Sequence, residues 1–195
     1  MSAADALLKL SRTVAAEGEP LSSHVNTRPG SDPALGELVA AGPRTKGSPA
    51  EYAFVVEAVR EGYLCHYGTP RILHGADADL TLLAGDLFYA IGINGLAALN
   101  DPESVGILSD LIRVAAELRA EDRTEAAEAL WLAQLLALSC GIDNDLPGRI
   151  GALEQRENGS IEGLKEWSEN TAESHGLGRR FVSARNAIDF QPTNL

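Results

Sequence analysis

The residues of this chain whose chemistry could drive a reaction are few and scattered. Asp86 stands alone inside an apolar run, "LLAGDLFYAIGINGLAAL", Leu82 to Leu99, while Asp77 and Asp79 sit in "ADAD" and Asp143 and Asp145 in "DNDL". Metal-dependent phosphate chemistry needs two or more convergent carboxylates, because a divalent cation takes several oxygen ligands. Asp86 has no acidic neighbour at three or four residues on its own helix, and Asp79 lies seven residues before it. Its simpler role, inside or beside the core, is to accept hydrogen bonds from a neighbouring helix or loop, since a buried charge needs partners. The sharper role is a general base or metal ligand. "ADAD" falls where a helix starts and can be capped by an aspartate, and "DNDLPG" has the composition of a turn. Convergence of Asp77, Asp79, Asp143 and Asp145 from different helices stays open at this point.

Nucleophilic chemistry finds less. Cys65 and His66 are adjacent, and neighbours on a helix do not face one direction. His66 and His74 are expected near a helix end or in a loop, and His24 and His175 are isolated. A GxSxG elbow and a glycine-rich phosphate loop are absent, and "GINGLA" lacks the preceding strand that a dinucleotide fingerprint requires. Trp131 lies on an apolar stripe and reads as core. None of this amounts to an independent active site.

The elements that would position these residues are helices. Ala and Leu are abundant and aromatics make up only 5% of the 195 residues, which favours close-packed helices over sheets. With 45% hydrophobic residues, the chain can bury one substantial core and is short for two independent domains. The expectation is an all-α protein with a single domain over residues 1–153, loosely packed over 1–47, and a polar, partly disordered tail over 154–195. A net charge of −12 repels phosphate backbones and anionic membrane surfaces, so nucleic-acid binding is not expected. The two cysteines, Cys65 and Cys140, have no ligand spacing and read as reduced core thiols. The N-terminal stretch lacks the basic start and long apolar segment of a signal peptide, so a cytoplasmic location is expected.

Helix starts are legible. "SPAE" places Ser48 as N-cap, Pro49 at the first helical position and Glu51 at the box position, opening a helix to about Tyr67 with Gly68 as its stop. "NDPES" starts another at Asp101 and Pro102, and "DRTE" offers Asp122 as N-cap and Glu125 as its box partner for an apolar helix that stops at Gly141. Weaker helices are expected from Ser2 to Ala16 and from Pro33 to Ala41. A short one is expected around Ile161, Leu164 and Trp167. In the tail, Trp167, Phe181 and Phe190 are apolar enough to dock on a partner.

The run from Leu80 to Leu99 has the length of a membrane span. Asp86 would cost about 2.5–3.5 kcal/mol near a span's centre, and the flanks "HGADAD" and "NDPE" are acidic without a Lys or Arg anchor. The expectation is therefore no transmembrane segment but a central packing helix, apolar on nearly all sides. Gly85, Gly92 and Gly95 would let neighbouring backbones approach, offsetting about 1 kcal/mol each in lost helix propensity.

"LTLLAGDLFYAIGINGLAALNDPESVGILSDLIRVAAEL", Leu80 to Leu118, resembles the helix pair of trans-isoprenyl (polyprenyl) diphosphate synthases, with Leu82 to Asp86 as the most specific stretch. "EAVREGYLCHYGTPRIL", Glu57 to Leu73, is similar to the helix and loop that lead into that pair. The resemblance implies a truncated isoprenoid-synthase-like helical bundle. Catalytic members carry two DDxxD-type clusters that hold magnesium against the allylic diphosphate. Here the corresponding helix reads "YLCHYG", and "GPRTKG" departs from the basic GKRxRP element.

What the resemblance implies is thus a motif-poor small or regulatory subunit, not catalytic alone, that pairs with a DDxxD-containing catalytic subunit in a heterodimeric prenyltransferase or self-associates. Magnesium would be bound only by the catalytic partner, and this chain would bind no cofactor alone. Gly85, Asp86, Phe88, Tyr89 and Gly92 are the tunnel or interface candidates: bulk at Phe88 or Tyr89 would block a growing chain and glycines would admit it. The competing expectation is a helical interaction protein on a degenerate scaffold of this kind, without any prenyl-transfer role.

Overall fold

A computed structural model describes residues 5–30 and 33–188. Among the described residues the protein is all-α, with nine α-helices and no strands. They are α1 (Ala6–Ala15), α2 (Ala34–Ala40), α3 (Pro49–Tyr67), α4 (Ala78–Ala98), α5 (Pro102–Ala120), α6 (Thr124–Cys140), α7 (Leu146–Glu154), α8 (Ser160–Ser174) and α9 (Gly178–Ala187). Ser2 and Phe190 lie outside the described residues.

The centre of the molecule is α3, not α4. Every residue of α3 from Tyr52 to Cys65 is buried. On one side, Tyr52, Val55, Val56, Val59 and Tyr63 join a large apolar cluster with α2 and α5 to α9. On the other, Phe54, Ala58 and Cys65 join a smaller cluster with Leu7, Leu10 and Val14 of α1 and Phe88 of α4. The second fully packed helix is α6, buried without interruption from Ala129 to Ser139. The central place expected for the run Leu82–Leu99 is corrected accordingly: α4 buries only Ala84, Gly85, Phe88, Gly92 and Leu96. No other described element covers its outer surface, so its apolar composition does not translate into burial.

In the stretch 154–195, expected to be a partly disordered tail with a short helix around Ile161, Leu164 and Trp167, α8 extends that helix and α9 adds a second. Leu164, Trp167, Ser168 and Ala172 bury one face of α8, and Phe181 and Ala184 bury one face of α9. Each stripe is narrow and partly built of small residues, which hides its period. Two polar contacts fix these helices: the Trp167 indole N–H donates to Asp143 Oδ2 at 2.7 Å, and the Arg60 guanidinium donates to the Ala187 carbonyl.

The caps divide. Asp77 accepts from the Leu80 N–H and Asp101 from the Ser104 N–H, as their positions predict. α3 begins at Pro49, with no side-chain cap bond from Ser48. Asp122 does not cap α6. It adopts φ 56° while its N–H donates to the Arg119 carbonyl and the Arg123 N–H to the Leu118 carbonyl, so it closes α5. This is the left-handed exit in which the last carbonyls find donors one turn on. Asn100, at φ 54°, ends α4 the same way.

Candidate functional site

The candidate site is built on α4 and the last turns of α3. Asp77 starts α4 by accepting from Leu80 N at 2.8 Å, and spacings of three and four residues then align Ala84, Gly85, Phe88, Gly92 and Leu96 along the strip facing α3. A Cβ on Gly85 would meet His66 Nε2 at 2.7 Å and Cys65 Cβ at 3.0 Å; one on Gly92 would meet Val59 Cγ2 at 2.6 Å. From the other side, a Cβ on Gly62 of α3 would meet the Gly85 carbonyl oxygen at 2.9 Å and the Tyr89 ring at 2.7 Å. The glycines are therefore where the two helices touch.

Asp86 stays out of the core. Its side chain is 74% exposed, and Oδ1 lies 3.2 Å from His66 Nε2, in the last turn of α3. The His66 ring stacks on Tyr89 with centroids 5.5 Å apart and planes within 9°. Of the predicted residues, the fold thus brings Gly85, Asp86 and Tyr89 together around His66. Phe88 is fully buried in the smaller cluster, and Gly92 lies further along the strip. Burial raises the Tyr89 phenol well above the ordinary range, as do the neighbouring Tyr67 and Tyr63. Burial, reinforced by Glu61, likewise raises the Cys65 thiol. At neutral pH that thiol is protonated and unsuited to nucleophilic work.

The remaining candidate carboxylates do not converge on one site. Asp143 accepts from the backbone N–H groups of Asp145 and Leu146 as well as from Trp167. Burial would raise its pKa, but these donors outweigh that and lower it. Asp77 is a cap and Asp79 is exposed in the first turn of α4. Among the described residues, no three His, Cys, Asp or Glu side chains group as metal ligands would. His74 and His24 hold two loops together, the His74 N–H donating to the His24 carbonyl at 2.9 Å.

The most deeply buried polar constellation is one that sequence reasoning missed. Glu57 and Glu61, one turn apart on α3, are both fully buried. Between them lies Arg71, with Nη1 donating to Glu57 Oε2 at 2.7 Å and Nε to Glu61 Oε2 at 2.9 Å. The other carboxylate oxygens accept from backbone: Glu57 Oε1 from Gly36 N–H, in the first turn of α2, and Glu61 Oε1 from Ile72 N–H, both at 2.7 Å. Burial would lower the Arg71 pKa, but the two carboxylates outweigh it and raise it, so the guanidinium stays charged. The cluster fastens α2 and the 68–77 loop to α3, and its oxygens are consumed in doing so. The available signal was a pair of glutamates at i and i+4 in a helix that is apolar around most of its circumference.

A second network surrounds Asp101, which accepts from Tyr52 Oη at 2.5 Å and Arg44 Nη2 at 2.7 Å in addition to Ser104. Arg44, in "GPRTKG", is thereby a strut between the 42–48 loop and the start of α5.

What is left facing solvent is the outer surface of α4. Leu82 is 45% and Leu83 66% exposed, with Asp86, Ala90 and Asn94 continuing the same face. Among the described residues α4 is the one helix long and apolar enough to cross a membrane, with 28% of its most apolar window buried. Comparison of the chain with protein-family models, with curated proteins and with solved structures finds no match.

Proposed function

We propose that this chain is a noncatalytic subunit that pairs through the outer face of α4 with a DDxxD-containing polyprenyl diphosphate synthase subunit and shapes the product tunnel there. The observation that carries the proposal is the exposure of Leu82 and Leu83, the first two residues of "LLAGD". Half to two-thirds of each side chain is open, so covering both would contribute roughly 1–2 kcal/mol apiece. Asp86 on the same face makes a bilayer a poor cover, at about 2.5–3.5 kcal/mol if placed near its centre. In this reading Leu82 and Leu83 supply the bulk at the interface. Phe88 and Tyr89 set how closely α4 lies on α3, which fixes where that bulk stands. Magnesium and the ionisation chemistry belong to the partner.

The test is co-expression with a DDxxD-bearing synthase subunit, followed by co-purification and analysis of prenyl product length with and without this chain. Association and a changed product length are expected, both abolished by Leu82→Glu with Leu83→Glu. Absence of association together with unchanged products would sink the proposal. Association without a change in product would assign the helical interaction role instead, and prenyl transfer by the isolated chain with magnesium would overturn the noncatalytic assignment.

A further inference from the structure

A cavity of about 330 Å³ opens between α5, α6 and α7. Its walls are apolar, formed by Ile107, Val114, Leu146 and Ile150, and Ile142 stands 45% exposed on its lining. The same cavity is lined by Gln134, the single long polar side chain in the continuously buried part of α6. Gln134 is 4% exposed as a residue; among the described residues its amide makes no hydrogen bond and is not sealed from solvent, so it opens to this cavity. A ligand group that hydrogen-bonds this amide would displace only water from it.

The charged part of the lining is one-sided. Glu103, Asp110 and Glu154 line the cavity with a single cation, Arg113. Arg113 is already shared among carboxylates, with Nη1 3.1 Å from both Glu117 and Glu154 and Nε 3.8 Å from Asp110. The local field is therefore negative, as is that of the whole chain at −12, and both favour a cationic ligand over an anionic one.

The geometry points to a binding site for a small organic ammonium: an apolar body seated between α5 and α7, a hydrogen-bonding group on Gln134, and a positive end held by the carboxylates. Volume, apolar walls and a few placed polar groups are what small-molecule sites share. None of the lining residues lies on α4, so the site stands independently of the subunit reading.

Tyramine, phenethylamine and 3-(4-hydroxyphenyl)propionate separate the three recognition elements, with binding read by heteronuclear NMR titration of the full chain. Tyramine should bind about fivefold more tightly than phenethylamine, which lacks the hydroxyl, and the anion should not bind. Gln134→Leu should erase the preference for tyramine while phenethylamine still binds. Gly106→Leu should weaken both amines: a Cβ there meets nothing within 4 Å and projects from a cavity-lining position, so this variant keeps the fold. Failure of wild type to bind either amine at millimolar concentration would overturn the site. So would binding of the anion as tight as that of tyramine, or survival of the tyramine preference in Gln134→Leu.

Discussion

Replacing Arg71 with methionine probes the buried ion cluster directly. The substitution keeps a long flexible side chain of comparable reach but leaves Glu57 and Glu61, both fully buried, facing each other one helical turn apart without a cation. Removing one partner from a buried ionic group costs about 3–5 kcal/mol, because an uncompensated charge stays behind. That is a large part of the 5–15 kcal/mol that holds a typical domain together. At roughly 2–4 °C per kcal/mol for a chain of this size, the melting temperature should fall by about 6–20 °C. The informative comparison is the triple variant Glu57→Gln, Glu61→Gln, Arg71→Met. Glutamine keeps a carbonyl oxygen for the Gly36 and Ile72 N–H groups, so the backbone donors remain satisfied while all three charges are gone. Urea denaturation of all the single variants and the triple, with m-values checked for constancy, should show the triple recovering most of the loss. A cost below about 1 kcal/mol for Arg71→Met, or single-variant costs that simply add up to the triple, would refute the coupling.

Three further outcomes follow from the packing. Burial would raise the Asp101 carboxyl, but hydrogen bonds from Ser104, Tyr52 and Arg44 outweigh it and hold the pKa well below the usual range. Its contribution is therefore complete above the unfolded aspartate value of ~3.9 and lost as pH falls toward the lower folded value. Acid unfolding of Asp101→Asn should accordingly be less steep below that point than wild type. Gly92→Ala gains about 1 kcal/mol in helix propensity but drives a Cβ to 2.6 Å from Val59 Cγ2 and 3.3 Å from the Val55 carbonyl oxygen. Calorimetry should show a net loss of about 1–2 kcal/mol. Asp122→Gly should raise stability by up to about 1 kcal/mol because φ is 56°, whereas a capping role would have made the same change costly.

The helix boundaries that sequence reasoning located best are those set by local chemistry. Pro49, Asp77 and Asp101 with Pro102 each act within a turn of the chain, and the helices begin where they stand. Position in the fold is not local. "LLAGDLFYAIGINGLAAL" and "ALWLAQLLALSC" have similar apolar content, yet α6 has α5 and α8 against it and α4 leaves an entire face without a neighbour. Arg71 was illegible for a related reason. It follows Gly68 and Pro70 in a loop, where no period ties it to Glu57 and Glu61 on the preceding helix. Asp122 misled because the residue types that cap a helix are also those that tolerate left-handed backbone. The comparison with Asn100, which closes α4 in the same manner, shows the second use winning twice.

Because α3 is the shared wall of both apolar clusters, its own packing is lost only when both come apart. Amide protons in the middle of α3 should therefore exchange with solvent only through complete unfolding, at the slowest rates in the molecule. Those along the uncovered face of α4 can exchange through local opening, hinging on a strip held by small residues. The helix with the most hydrocarbon-like sequence in this protein is thus placed among its more readily opened parts, where a change of partner costs the rest of the fold least.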